Sequence, residues 1–281
     1  MWRSPGKSRD PRLERVTTAV VGAPGSPRRY LHSLWLLSAR DLKVRYSTSA
    51  LGYLWSVLDP LVMSIIYWFV FTQVFNRGSI GGTPYIVFLI AGLLPWVWFN
   101  SAVSDLTKAF KKDARLVRST AIPRSIWVNR IVLSKGIEFV FSIPVLVLFA
   151  ALTVPHVRLN WLVVLFPVGI VVQIVLLVGL GLIVAPLCAL WGDLERTTRL
   201  ILRALFYASP IIYGLPDLPA PFHQLALFNP LSGIFSLYRA GLFPEQFDPL
   251  AIGVAAVMSL VFLAIGAFVF RRLEPAVLKE L

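Results

Sequence analysis

Six apolar stretches dominate this chain, and they restrict it to very few folds. Roughly 20 apolar residues cross the hydrocarbon core of a bilayer as a helix. In lipid the backbone must satisfy its own hydrogen bonds, which leaves helices and closed barrels. Stretches this long and this continuous are helical, so they predict spans at about 54–75, 85–104, 131–153, 161–190, 198–213 and 249–270. The fifth is short for a full crossing. The fourth is long, with a kink or tilt expected near Pro167 or Pro186. Composition agrees: 57% of the residues are hydrophobic and only 15% charged. That excludes intrinsic disorder and leaves too little polar surface for a soluble enzyme.

The segment 214–248 is ambiguous. It holds Pro216, Pro219, Pro221, Pro230 and Pro244 around an apolar stretch, so it reads either as a seventh span or as a pair of short re-entrant helices. Charge arbitrates, because Lys and Arg concentrate on the cytoplasmic side of membrane proteins. With six spans and both termini cytoplasmic, 24 of the 27 basic residues fall inside, and only Arg77, Arg158 and Arg239 fall outside. A seventh span would put Arg271, Arg272 and Lys279 outside. The expected architecture is therefore an all-α integral membrane protein. It has six transmembrane helices and a re-entrant region at 214–248. The surplus of 27 basic over 14 acidic residues records topology, not nucleic-acid binding.

Two amphipathic segments lie on the inner side. Residues 1–27 read as a flexible basic tail. Within 28–46, Leu31, Leu34, Trp35, Ser38 and Leu42 recur at helical spacing while Arg40, Lys43 and Arg45 flank or face away. Such a helix lies in the headgroup plane, as a lipid anchor or at the entrance of a pore. Within about 106–119, Phe110, Ala114 and Val117 share a face, and Lys108, Lys111, Lys112, Arg115 and Arg118 occupy the rest. That pattern suits a solvated loop or a helix that docks on a partner.

Few groups carry chemistry. Cys188 is alone, His32, His156 and His223 lack metal-ligand spacing, and Gly6-Lys7-Ser8 lacks the upstream glycine and strand of a phosphate-binding loop. Glu138 is the one deep acid. Lys135 stands three residues before it, as an ion-pair partner. So few ionisable groups argue against an ion-coupled carrier, and scattered acids argue against a membrane enzyme. Tyr67, Trp68, Phe71, Trp96, Phe99, Phe139 and Tyr207 are candidates for a channel wall, because aromatic faces stack on sugar rings. An interfacial belt or ordinary packing explains any single ring as well.

A resemblance then covers the chain from about residue 28 to the end. The run Arg40-Asp41-Leu42-Lys43-Val44-Arg45-Tyr46, followed by Leu51-Gly52-Tyr53-Leu54-Trp55 and Asp59-Pro60-Leu61, resembles the approach to the first span of polysaccharide-exporting ABC-transporter permeases. Gly92-Leu93-Leu94-Pro95-Trp96, Ile122-Pro123-Arg124, Ser209-Pro210-Ile211-Ile212-Tyr213, Asn229-Pro230-Leu231, Tyr238-Arg239 and Leu273-Glu274-Pro275 match later segments in order. Gly192-Asp193 departs from the Arg-Asp common in relatives. The Arg/Pro-rich N-terminus is similar to an actinobacterial branch whose mycobacterial members export lipid-linked galactan.

The resemblance implies an interface helix whose Arg40, Asp41, Lys43, Arg45 and Tyr46 border the entrance. It implies an ATPase-coupling helix bearing Lys108, Phe110, Lys111, Lys112, Arg115 and Arg118. It also implies external gate helices that include Tyr213, Asn229, Pro230, Tyr238 and Arg239. Two permeases would assemble with two ATPase subunits. ATP and magnesium would bind those partners, leaving this chain without a cofactor. The substrate would be a lipid-linked polysaccharide crossing the bacterial inner membrane.

Overall fold

The computed structural model describes residues 27–47, 51–76, 79–80, 83–119, 122–152 and 159–280. The expected tail at 1–27 lies outside them except for Pro27, as does the side chain of Tyr46. In chain order the helices are α1 (Pro27–Tyr46), α2 (Trp55–Trp68), α3 (Tyr85–Leu106), α4 (Ala114–Ser119), α5 (Ser125–Leu152), α6 (Phe166–Leu190), α7 (Leu194–Ala208), α8 (Ala220–Leu227), α9 (Pro230–Arg239) and α10 (Pro249–Glu280). A small β pair, Ser79–Ile80 with Thr83–Pro84, links α2 to α3.

Among the described residues, five helical stretches are long and apolar enough to cross a membrane: Val57–Val74, Tyr85–Leu106, Ser125–Leu152, Trp161–Leu190 and Pro249–Glu280. Several boundaries differ from expectation. The helix expected from 131 starts at Ser125, because its polar first turns bond to α1 instead of to water: Asn129 donates to the Tyr30 hydroxyl and Arg130 to Asp41. The last helix runs ten residues past 270 to Glu280 and carries Pro275 within it. The expected fifth span, 198–213, is instead α7 from Leu194 to Ala208. Its 15 residues reach only about 22 Å at 1.5 Å each. Ser209 is already extended, as a residue before proline prefers. The fourth helix runs unbroken from Phe166 through Pro186, with Pro167 in the first turn, where its missing N–H costs nothing.

α3 is the central element, and its stretch 85–99 is apolar on every side, as a helix enclosed by others must be. In lipid, association rests on close packing and interhelical hydrogen bonds, because lipid tails are as apolar as leucine. A close backbone crossing joins α6 and α10. A Cβ on Gly179 would meet the Leu263 amide at 2.5 Å, and one on Gly266 would strike the Gly179 carbonyl. Phe139 is sandwiched in the core by Trp98 (5.0 Å between centroids), Phe166 (6.3 Å) and Tyr238 (5.6 Å).

Residues 106–119, expected as one helix, are not one. α3 ends at Leu106, hydrogen-bonded turns follow, and helix resumes only at Ala114. Among the buried anchors, Phe110 and Val117 hold this stretch to the bundle, with the Phe110 ring 6.2 Å from Phe270.

An aromatic and cationic groove as the candidate functional site

Three helices shape an open groove of about 460 Å³. α2 contributes Tyr67. α3 contributes Trp96, Asn100 and Ser104, spaced four apart and so on one face. α7 contributes Arg199, Leu202, Arg203, Phe206 and Tyr207, again at helical spacing. The rings form a connected wall: Phe206 lies 5.5 Å from Trp96 and 5.1 Å from Tyr207. Trp96 is held edgewise in the core, whereas Tyr207 is 66% exposed. Chemically the groove offers ring faces for apolar sugar surfaces, amide and hydroxyl groups for their edges, and two guanidinium groups.

The seven candidate channel aromatics thus divide. Tyr67, Trp96 and Tyr207 converge on the groove. Phe99 supports Trp96 from behind at 5.7 Å. Phe71 packs on Tyr85 at 5.5 Å. Trp68 is partly exposed and absent from the groove lining, and Phe139 is core. Hydrophobicity does not distinguish a ring facing a cavity from one facing a neighbouring helix, so this division needed the fold.

At the end of the bundle that holds α1 and α4, two ion clusters tie α1 to α5, one through the stretch after α3 and one through the end of α3. In the first, Arg130 of α5 is 2% exposed; its Nη1 donates to Asp41 of α1 at 2.8 Å and its Nη2 to Asp113. Arg40 approaches Asp113 at 3.7 Å. Burial pushes the Asp41 carboxyl up, with the nearby Arg130 charge opposing it. In the second, Arg45 reaches Asp105 at 2.8 Å and Glu138 at 3.2 Å, while Lys135 binds Glu138 at 3.0 Å. Glu138 is therefore part of a four-residue cluster, broader than the Lys135 pair expected from spacing. Lys43 projects outward from α1.

Lys108 bonds Glu195 at the start of α7 at 3.3 Å, and Arg199 bonds the same carboxylate. The Arg199 hydrogen bond is the largest influence holding Glu195 below the ordinary carboxylate range. Lys111, Lys112, Arg115 and Arg118 face outward.

The residues expected in an external gate make contacts between elements. Asn229 caps α9 by accepting from the Leu231 amide at 3.1 Å, with Pro230 at the first helical position, and donates to Ser209 at 2.8 Å. Tyr213 donates to the Tyr207 carbonyl at 3.0 Å. Tyr238 donates to Gln173 of α6, and Gln173 donates in turn to the Pro95 carbonyl of α3, each at 2.9 Å. Arg239, expected on the outer side of the membrane within the gate, is buried. Sequence reasoning missed Asp113, Arg130, Gln173 and Glu195. A polar residue inside an apolar run was the available signal for Arg130 and Gln173. Among the described residues, no group of three or more His, Cys, Asp or Glu converges as a metal site would.

Comparison with known proteins matches residues 32–243 to the family described as ABC-2 type transporter. The chain is 31% identical over 243 residues to the O-antigen export system permease protein RfbA of Klebsiella pneumoniae, covering 86% of this chain and 92% of that one. It is 30% identical over 254 residues to the protein of the same name from Myxococcus xanthus, covering 88% and 95%. It is 24% identical over 244 residues to the polysialic acid transport protein KpsM of Escherichia coli, covering 86% and 93%.

Proposed function

This chain belongs to the ABC-2 type transporter family, and on that premise we propose that it is the permease subunit that carries a polyprenyl-pyrophosphate-linked polysaccharide outward across the bacterial inner membrane. The glycan is galactan or O-antigen-like. The names of the relatives support a polysaccharide cargo. The single observation that carries the reading is the groove, where Tyr67, Trp96 and Tyr207 stand beside Arg199 and Arg203. Ring faces hold sugars by stacking, without demanding one sequence of hydroxyls, so a repeating polymer slides.

In this reading six segments cross: α2, α3, α5, α6, residues 198–213, and α10. α8 and α9 dip in and return, and both termini are cytoplasmic. Two copies of the chain enclose the channel and two ATPase subunits hydrolyse ATP with magnesium. ATPase closure presses on 107–119, whose outward cations Lys111, Lys112, Arg115 and Arg118 suit a docking surface. Phe110 and Val117 transmit that push to the bundle because they are its buried contacts.

The test is depletion of the protein followed by measurement of lipid-linked glycan on each face of the inner membrane. Accumulation on the inner face is expected, and unchanged outward translocation sinks the reading. A second reading is export of a small lipid by the same architecture. It is favoured by a largely apolar pocket of about 670 Å³ among α3, α6, α7, α8, α9 and α10. Loss of a lipid from the outer leaflet, with glycan export intact, would select it.

A further inference from the structure

Arg199 and Arg203 are one turn apart on the same face of α7, and Tyr207 continues that line by another turn. The groove is therefore cationic toward the start of α7 and aromatic toward its end. Glu195 occupies Arg199 in part and also binds Lys108. Arg203 forms no ion pair with a carboxylate among the described residues. Arg203 is exposed on α7, where its charge meets water or an anion. The guanidinium fork matches the oxygens of phosphate bidentately. Asn100 and Ser104 stand opposite, on α3, as neutral partners for further oxygens.

We propose that Arg199 and Arg203 form a diphosphate-binding site at the cationic end of the groove, with the sugar that follows the diphosphate stacked on Tyr207 and Trp96. The site rests on the transport reading above and deepens it. It places the charged linkage between lipid and glycan at a defined point and sets the register in which the sugars meet the rings. The surplus charge makes binding salt-sensitive, because an open groove is screened.

The experiment uses the assembled permease–ATPase complex in phosphatidylcholine nanodiscs, with farnesyl diphosphate, farnesyl monophosphate and farnesol as probes. Binding is followed by tryptophan fluorescence. Wild type is expected to prefer the diphosphate to farnesol by at least about tenfold, as charge-assisted hydrogen bonds imply. The double variant Arg199→Gln/Arg203→Gln is expected to lose that preference while keeping its affinity for farnesol. Arg203→Lys, a point charge without the fork, is expected to fall between. Arg196→Gln, on the same helix but outside the groove lining, is the control and should bind as wild type.

An unchanged diphosphate preference in the double variant overturns the site. So does competition by phosphatidylglycerol nanodiscs as strong as that by the diphosphate, which would identify a general contact with anionic lipid. The transport reading fails separately. A wild-type complex that binds the diphosphate selectively yet exports no glycan sinks that reading and leaves the site standing.

Discussion

The guanidinium of Arg239 fills the space that a side chain at Gly92 would need. From there Arg239 donates to the carbonyls of Phe88 (3.3 Å), Pro210 (2.6 Å) and Ile211 (2.6 Å), with its central carbon 3.6 Å from the Phe88 ring centroid. Pro210 and Ile211 lie past the end of α7, where carbonyls lack helical partners. One cation thus joins α9, α3 and the end of α7 without a hydrogen-bonded carboxylate among the described residues.

Gly92→Ala is therefore expected to displace the guanidinium and destabilise the protein by about 1–3 kcal/mol, the usual range for overpacking. Arg239→Met leaves the freed acceptors buried, at about 1–3 kcal/mol each. Thermal unfolding in detergent measures both. The double variant should cost clearly less than the sum, because both changes break the same contact. Additive effects would separate the two residues.

Arg130 is expected to be irreplaceable by lysine. Its two nitrogens bond carboxylates on different elements, Asp41 of α1 and Asp113 after α3, and a single ammonium does not reproduce that fork. Arg130→Leu, which strands two carboxylates, should cost about 3–5 kcal/mol or more, and Arg130→Lys less. Hydrogen exchange in α1 should rise in both. Wild-type protection of α1 in Arg130→Lys would refute the bridging role.

The α6–α10 crossing separates two glycines of α10. Gly266→Ala meets the Gly179 backbone, whereas a Cβ at Gly253 meets nothing within 4 Å. Gly266→Ala is expected to lower stability by about 1–3 kcal/mol through forced separation of the helices. Gly253→Ala should be neutral or slightly stabilising, by up to about 1 kcal/mol of helix propensity. Equal effects in detergent unfolding would argue against backbone contact at this crossing.

The contact of α7 with the 107–113 turns should respond to acid. Arg199, then Lys108, hold Glu195 below its ordinary value of 4.5. A depressed carboxylate contributes stability that is fully present above the unfolded value and is lost as pH falls through the lower folded one. Exchange protection at 194–199 is therefore expected to stay level from pH 7 to about 5 and to fall only below the unfolded value. Glu195→Gln should show the reduced protection already at pH 7. A loss centred at pH 6 or above would assign it to another group.

The sequence by itself determined the helical class, the approximate places of the long apolar helices, the amphipathic segment before the first, and the family through motifs read in order. These are one-dimensional signals: run length, helical period and charge position survive without knowledge of neighbours. It did not separate Phe139, locked among Trp98, Phe166 and Tyr238, from Tyr207, open in the groove. In lipid the packed face and the lipid face of a helix are both apolar, so hydrophobicity carries no record of which is which. Nor did it name the partners of Arg239, three carbonyls from distant segments that surround its charge. The tertiary structure alone decided where Arg239 found partners, because a buried donor is satisfied by whatever acceptors the fold brings near, and those lie 28 to 151 residues away in sequence.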